Sequence, residues 1–283
     1  MKPRLVSEQA RAKINLGLHI LGRRQDGYHE LDSIVAFADV ADVLILSASD
    51  ELSLEVSGPF AGSLPARKDN IILKAYRSLA DFTSNSLPPV KIHLEKNLPV
   101  ASGIGGGSAD AAAALRGLQR LFELDLKPEE MRAIALQLGA DVPVCLTQQT
   151  CRMRGIGEII EPLDIALPTA AVLVNPQIPA HTAQVFETLG LERGSMFGSA
   201  IQNINRVESW RNDLTAPAMT VVPEIAAVLE ALERCLAVTT ARMSGSGSTC
   251  FGLTQSPELS QFTANQLAEQ HPGWWVKSVS LGQ

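Results

Sequence analysis

The sequence predicts an α+β protein of two domains. Three observations support that class. Strand-like patterns recur through residues 13–94, helical patterns dominate 108–139, and a second mixed unit opens with the apolar run at 170–175. Strands and helices in separate runs, rather than in strict alternation, point to segregated α+β layers. The 283 residues are 46% hydrophobic and 19% charged, enough to build two cores. A change of character near residue 160 divides the chain into 1–160 and 161–283.

In chain order, Ile14, Leu16, Leu18 and Ile20 alternate with Lys13, Asn15, Gly17 and His19, the pattern of a half-buried strand over 13–21. Gly22-Arg23-Arg24-Gln25-Asp26-Gly27 follows, and its Asp-Gly is a hairpin signal. The chain returns as strand over 28–46, with further strands at 52–56 and 90–94. Between them Ile71, Leu73, Ala75 and Leu79 give 70–82 helical spacing. A helix is predicted over 108–122 with Ser108 as its N-cap. Another starts at Pro128, favourable in a first turn, and stops at Gly139. Ala140-Asp141-Val142-Pro143 reads as a loop entering an apolar segment. Beyond Gly155-Ile156-Gly157-Glu158 a strand at 170–175 starts the second unit, and Ser244-Gly245-Ser246-Gly247-Ser248 joins two more strands.

The most informative stretch is Pro99-Val100-Ala101-Ser102-Gly103-Ile104-Gly105-Gly106-Gly107-Ser108-Ala109. Glycine backbone can take positive φ and lie close to a ligand. A glycine loop that opens a helix presents unpaired N–H groups and the positive end of the helix dipole, which together bind phosphate. It is not a Walker A loop, because Ser108 and Ala109 follow Gly107 in place of Lys-Ser/Thr. Nor is it the dinucleotide fingerprint. Ser108 stands at the third glycine, and Glu123 and Asp125 follow an amphipathic helix instead of a second strand.

Composition narrows the function classes. Aromatic residues are 5% and net charge is −6, which disfavours nucleic acid as partner. No apolar run approaches membrane-spanning length, and the charged N-terminus lacks the apolar core of a signal peptide. Cys145, Cys151, Cys235 and Cys250 form no CxxC pair and read as thiols of a reducing cytoplasm. His19, His29, His93, His181 and His271 show no metal-ligand spacing. The expectation is a cytoplasmic protein that binds a small anionic molecule, with no nucleic-acid and no membrane partner.

Alone, Lys13 is a strand-end lysine and Asp141 a turn aspartate. With the glycine loop they become specific. Ala12-Lys13-Ile14-Asn15-Leu16, Gly-Arg-Arg-Gln-Asp-Gly-Tyr-His-Glu-Leu at 22–31, the loop through Asp110, Gly139-Ala140-Asp141-Val142-Pro143, and Met-Ser-Gly-Ser-Gly-Ser-Thr-Cys-Phe-Gly at 243–252 occur in that order. The whole chain closely resembles the GHMP small-molecule kinases.

That resemblance implies a two-domain fold. A ribosomal-S5-like domain (1–160) would carry the ATP-binding glycine loop, and a ferredoxin-like domain (161–283) would complete the substrate cleft. It implies ATP and Mg²⁺, and transfer of the γ-phosphoryl group to a hydroxyl. Asp141 would take or orient the proton of that hydroxyl, and Lys13 would pair with Asp141 and offset charge on the transferred group. Residues 99–109 would wrap the phosphates, with Ser108 near the metal. Asn70, beside Asp69, and Lys96, beside Glu95, match positions near the nucleotide. The narrower Asp-Gly-Tyr-His and Gly-Ala-Asp-Val-Pro elements imply a substrate bearing a cytidine diphosphate group. Tyr28 and His29 would meet its cytosine, Asn15 its far end, and Thr182 and Phe186 the other face of the base. Phe186 fits equally as a core residue. Ser102, where the family often has Gly or Ala, and Gln184, where it has an apolar residue, are departures. Rival readings are a relative acting on homoserine or a mevalonate-pathway alcohol, and a nucleotide-binding module without catalysis. The metal ligands and the oligomeric state, a homodimer included, are left open.

Overall fold

The computed structural model describes residues 5–64, 70–84, 87–165 and 167–282. Two compact units are assembled from separated stretches. Met1–Ala12, Val40–Val100 and Gly105–Gln148 form the first; Lys13–Asp39, Ala101–Ile104 and Gln149–Gln283 form the second. The chain changes unit inside its two longest strands, β1 (Leu5–Arg23) and β2 (His29–Ala48), which pair with each other. At about 3.3 Å per residue such strands outrun a single small core. Division by packing therefore differs in kind from a single cut near residue 160.

In the first unit, β3 (Ser53–Ser57) runs parallel to β4 (Val90–Glu95). The far half of β2 pairs antiparallel with β4, from Val43 opposite Glu95 to Ala48 opposite Val90. The helices are α1 (Ile71–Phe82), α2 (Gly106–Leu121), α3 (Pro128–Leu138) and α4 (Val142–Thr147). α2 is buried through Ala109, Ala111, Ala112, Ala113, Ala114, Leu115 and Leu118. Its alanines combine the best helix propensity with a small radius, so α1, α3 and α4 can all pack on it. The predicted α3 limits hold, with Pro128 in the first turn and Gly139 at the stop. The loop expected after Ala140 is instead the short helix α4, with Pro143 in its first turn.

In the second unit, the near half of β2 pairs antiparallel with β5 (Cys151–Gly155), and β5 with β6 (Ile159–Pro162). A separate antiparallel sheet has the order β10-β7-β9-β8, built from β7 (Ala170–Asn175), β8 (Val238–Met243), β9 (Cys250–Thr254) and β10 (Trp275–Ser280). With α5 (Thr182–Thr188), α6 (Thr215–Val221) and α7 (Glu224–Glu233) inserted after β7, and α8 (Pro257–Gln270) after β9, this is the βαββαβ order of ferredoxin-like folds. All six residues of β7 are buried, which explains why it reads as a continuous apolar run.

Candidate active site

The glycine loop divides into a fixed part and an open part. Residues 101–104 belong to the second unit and are held there by their carbonyls. Ala101 O accepts from Ala180 N at 2.9 Å, Ser102 O from Thr249 N at 3.0 Å, and Ile104 O from Lys13 N at 2.9 Å. Gly103 O accepts from Ser244 Oγ at 3.0 Å. Gly103 has φ +75°, and a Cβ there would meet Gly247 N at 2.6 Å. Only glycine fits this approach.

Gly105 caps α2 in the left-handed region (φ 65°), and no side chain caps the helix. This corrects the expectation that Ser108 is the N-cap: Ser108 lies inside the first turn, and the helix starts two residues earlier at Gly106. A helix leaves its first N–H groups without intrahelical partners. Here those belong to Gly106, Gly107 and Ser108, beside an exposed Gly107 around which a Cβ would meet nothing within 4 Å. The result is an uncapped helix start with open space over it, suited to an anion.

Other residues of the first unit take distinct places. Asp141 is half-buried at the N-cap of α4. Asn70 caps α1, its Oδ1 accepting from Ile72 N at 2.9 Å. Asp69 lies outside the described residues. Lys96 is 2% exposed, and its Nζ donates to Asp42 Oδ2 at 2.5 Å and Asp110 Oδ2 at 2.7 Å. The lysine expected beside the nucleotide thus has its ammonium held by two carboxylates. Pro99 and Val100 lead into the loop, and Ala109 is buried in α2.

In the second unit, Lys13 and Asn15 are buried in β1. Asn15 N donates to Ser244 Oγ at 3.0 Å and its Nδ2 to Ser33 Oγ at 2.8 Å. Its Oδ1 is buried with no hydrogen-bond partner among the described residues. Cys151 feels the charge of Lys13, but burial dominates and pushes its thiol up to about 11, so it is no nucleophile at neutral pH. The His29 ring stands 4.7 Å from that of Phe186 at a 33° tilt, and its Nε2 is likewise buried without a partner. Burial, then the charge of Arg23, lowers the His29 pKa, so the ring is neutral and can both donate and accept. Phe186 is half-buried; Val185 is the core residue of α5. Tyr28 is 59% exposed, and Thr182 Oγ1 lies 2.9 Å from Ser246 Oγ.

Sequence reasoning missed several supporting residues. Ser244 bridges Asn15 and Gly103, and only its place in the Gly-Ser-Gly stretch hinted at a role. Ser33 gave no signal within its strand. Asn212, whose Nδ2 donates to the carbonyls of Met243 and Gly245 at 2.8 Å each, gave none either.

Comparison with known proteins places the chain in a family. Residues 70–149 match the family description GHMP kinases N terminal domain, and 193–273 match GHMP kinases C terminal. A protein of Bradyrhizobium diazoefficiens named 4-diphosphocytidyl-2-C-methyl-D-erythritol kinase is 46% identical, covering 97% of each chain. One of that name from Paramagnetospirillum magneticum is 45% identical over 97% of this chain and 98% of its own. A crystal structure of 4-(cytidine 5'-diphospho)-2C-methyl-D-erythritol kinase superposes with TM-score 0.82 at 31% identity, covering 98% of this chain and all of that one. Homoserine kinase from Cytophaga hutchinsonii shares the fold alone, at TM-score 0.70 and 15% identity over 99% of this chain and 94% of its own.

Proposed function

The chain belongs to the GHMP kinases, and on that premise we propose that it transfers the γ-phosphoryl group of ATP to the 2-hydroxyl of 4-diphosphocytidyl-2-C-methyl-D-erythritol, a step of non-mevalonate isoprenoid synthesis. The observation that carries the substrate is the Asp-Gly-Tyr-His element. It puts a neutral imidazole with an unpartnered buried nitrogen beside an aromatic ring. A nucleobase needs both an edge partner and a stacking face. Homoserine or mevalonate would leave these groups unused.

Each residue then has a role. N–H groups of Gly106, Gly107 and Ser108 take the phosphates, and the carbonyl-anchored residues 101–104 keep the loop in shape. Phosphoryl transfer needs positioning and charge stabilisation above all. Asp141 takes the proton of the attacking hydroxyl, and Lys13 offsets charge on the moving phosphoryl. Asn15 holds the methylerythritol end through its open Oδ1. Tyr28, His29 and Phe186 hold the cytosine, with Thr182 at its margin. Asn70 and Lys96 act beside the nucleotide by shaping the segments that carry it. Mg²⁺ suits such a site, since it binds hard oxygens and usually keeps phosphate and water ligands. Ser108 would supply an oxygen of that kind, and the ion would neutralise phosphate charge.

Kinetics with cytidine and uridine forms of the substrate test this. Tyr28→Ala should raise the substrate KM roughly tenfold, because aromatic–base stacking is worth about 1–3 kcal/mol, and leave the KM for ATP unchanged. His29→Ala should erase the preference for cytosine. Folded variants that keep wild-type selectivity would return the protein to a GHMP kinase of another substrate. ATP turnover indifferent to the cytidine substrate would remove the activity itself.

A further inference from the structure

Two segments carry the groups assigned to cytosine, and one side chain without a role so far joins them. The turn that leads from β1 into β2 carries Tyr28 and His29, and α5 carries Thr182 and Phe186. Both belong to the second unit. The chain beyond α5 comes back to the turn. Arg23 N donates to Ser195 O at 2.9 Å, and Gly194 N to Arg23 O at 2.7 Å. The half-buried Arg23 side chain adds a second tie. Its Nε donates to Gly27 O at 3.1 Å, next to Tyr28. Its Nη1 donates to Leu191 O at 2.8 Å, two residues past Leu189, the C-cap of α5. A guanidinium is planar and its N–H groups point in fixed directions, so two carbonyls bound to one guanidinium keep a set spacing.

We propose that Arg23 is a positioning residue for base selectivity: by clamping Gly27 O and Leu191 O, it holds the His29 imidazole in register with the Phe186 ring. The proposal rests on reading this region as a cytidine site. The turn is otherwise closed on itself. Arg24 N donates to Tyr28 O at 2.7 Å, Gly27 N to Arg24 O at 3.0 Å, and Tyr28 N to Asp26 Oδ1 at 3.0 Å. These three bonds shape the turn but reach no other segment; the guanidinium does. Arg24 has a different task, paired with Glu30 and with Glu158 at 3.6 Å. The imidazole itself feels the Arg23 charge, which after burial is the second cause of its lowered pKa. One guanidinium therefore serves both the turn and the ring that stands 4.7 Å from Phe186. Hydrogen bonds to a base edge are directional, so small displacements of the imidazole weaken them.

Kinetics and spectroscopy on Arg23→Met and Arg23→Lys test the proposal. Both leave the main-chain bonds to Gly194 and Ser195 in place. Methionine keeps an apolar stem without donors; lysine keeps the charge without the fork. In both, the KM for the cytidine substrate should rise roughly tenfold, the effect of about one lost hydrogen bond. Preference for the cytidine over the uridine form should fall by a similar factor, with the KM for ATP within about twofold of wild type. In protein labelled with ¹³C at histidine, at about pH 8 where the imidazole is neutral, the His29 ring protons should show a ring-current displacement that Phe186→Leu removes. Arg23→Met should remove it too and leave the His93 and His271 signals unmoved. Wild-type KM and selectivity in folded Arg23→Met overturn the proposal, and so does a His29 displacement that survives in it. Full selectivity in Arg23→Lys makes the charge responsible instead of the fork, and overturns it as well. Failure of both variants to fold assigns the side chain to the fold and overturns it too. A wild type that phosphorylates the uridine form as readily as the cytidine form overturns the cytidine reading itself, and the role of Arg23 with it.

Discussion

Asp141, the proposed base, draws its position from its neighbours. It sits where α4 begins, and Pro143 fixes the first turn behind it, so its carboxylate is held on a rigid element. Asp141→Asn keeps shape and loses the charge. Turnover should drop by about 10²–10⁴, the usual contribution of a positioned base, while calorimetry finds ATP and substrate affinities within about twofold of wild type. A variant with near-normal kcat would reassign the proton to another group. The histidines give a second expectation. His19 and His29 both have lowered pKa values, mainly from burial. His19 accepts from Arg211 N at Nε2, so its Nδ1 carries the hydrogen that meets Ser199 O. When the pH falls below the ordinary histidine value of 6.5, the unfolded chain takes protons that the folded chain resists. The stability these groups contribute is full above that value and is lost as pH falls toward the folded values. Melting temperature should decline from pH 6.5 downward, and His29→Gln should flatten the decline. An identical profile in the variant would assign the acid lability to other groups. At this scale the sequence was partly legible. Motif positions singled out Lys13, Asp141 and His29 as candidates, but nothing local marked Ser33 or Asp110 as hydrogen-bonding or ion-pair partners, because those contacts come from what lies across the unit from them.

Among the elements, α2 and its loop were the most legible, since glycine and alanine act through backbone properties that composition reveals directly. β1 was less so. Its alternation extends back to Leu5, but the inward positions before Ala10 are Val6 and a charged residue, Glu8. Glu8 is buried because Arg116 Nε at 3.0 Å and Arg120 Nη1 at 2.5 Å pair with it. A charge in the apolar register hid the strand until its partners on α2 were visible. β5 was obscured in a related way, with Cys151 and Met153 inward and alternating with Arg152 and Arg154, Arg152 being bound to Asp32 at 2.7 Å. The loop yields an element-level contrast. Gly106→Val must displace Lys96, whereas Gly107→Ala meets open space. Gly106→Val should weaken ATP at least about tenfold, and Gly107→Ala should fold normally with a much smaller loss. Calorimetry on both decides it. Equal affinity in the two variants would mean that the packing beside Gly106 does not shape the phosphate site.

For the whole molecule, the α+β class followed from the order of strand-like and helical runs, whereas the ferredoxin-like half was expected from the family resemblance alone; each strand of that half is short and continuous in sequence. The interleaving of the two units did not follow, since it depends on where β1 and β2 cease to pack with one partner set and begin with another. That interleaving has a functional consequence. The uncapped start of α2, with Gly106, Gly107 and Ser108, belongs to the first unit, while Asn15, Tyr28, His29, Thr182 and Phe186 all belong to the second. Nucleotide and cytidine recognition should then be separable by mutation. A ligand at about a hundred times its Kd stabilises the folded state by about 2.7 kcal/mol. For a chain of this size that raises the melting temperature by on the order of 5–10 °C. Wild type should respond to Mg-ATP and to the cytidine substrate alike. Gly106→Val should lose the response to Mg-ATP and keep the response to the substrate; His29→Ala should do the reverse. If either variant loses both responses while its circular dichroism is unchanged, the two recognition tasks are not divided between these residue sets, and the assignment of the loop to ATP and of the Tyr28–His29 element to cytosine has to be redrawn.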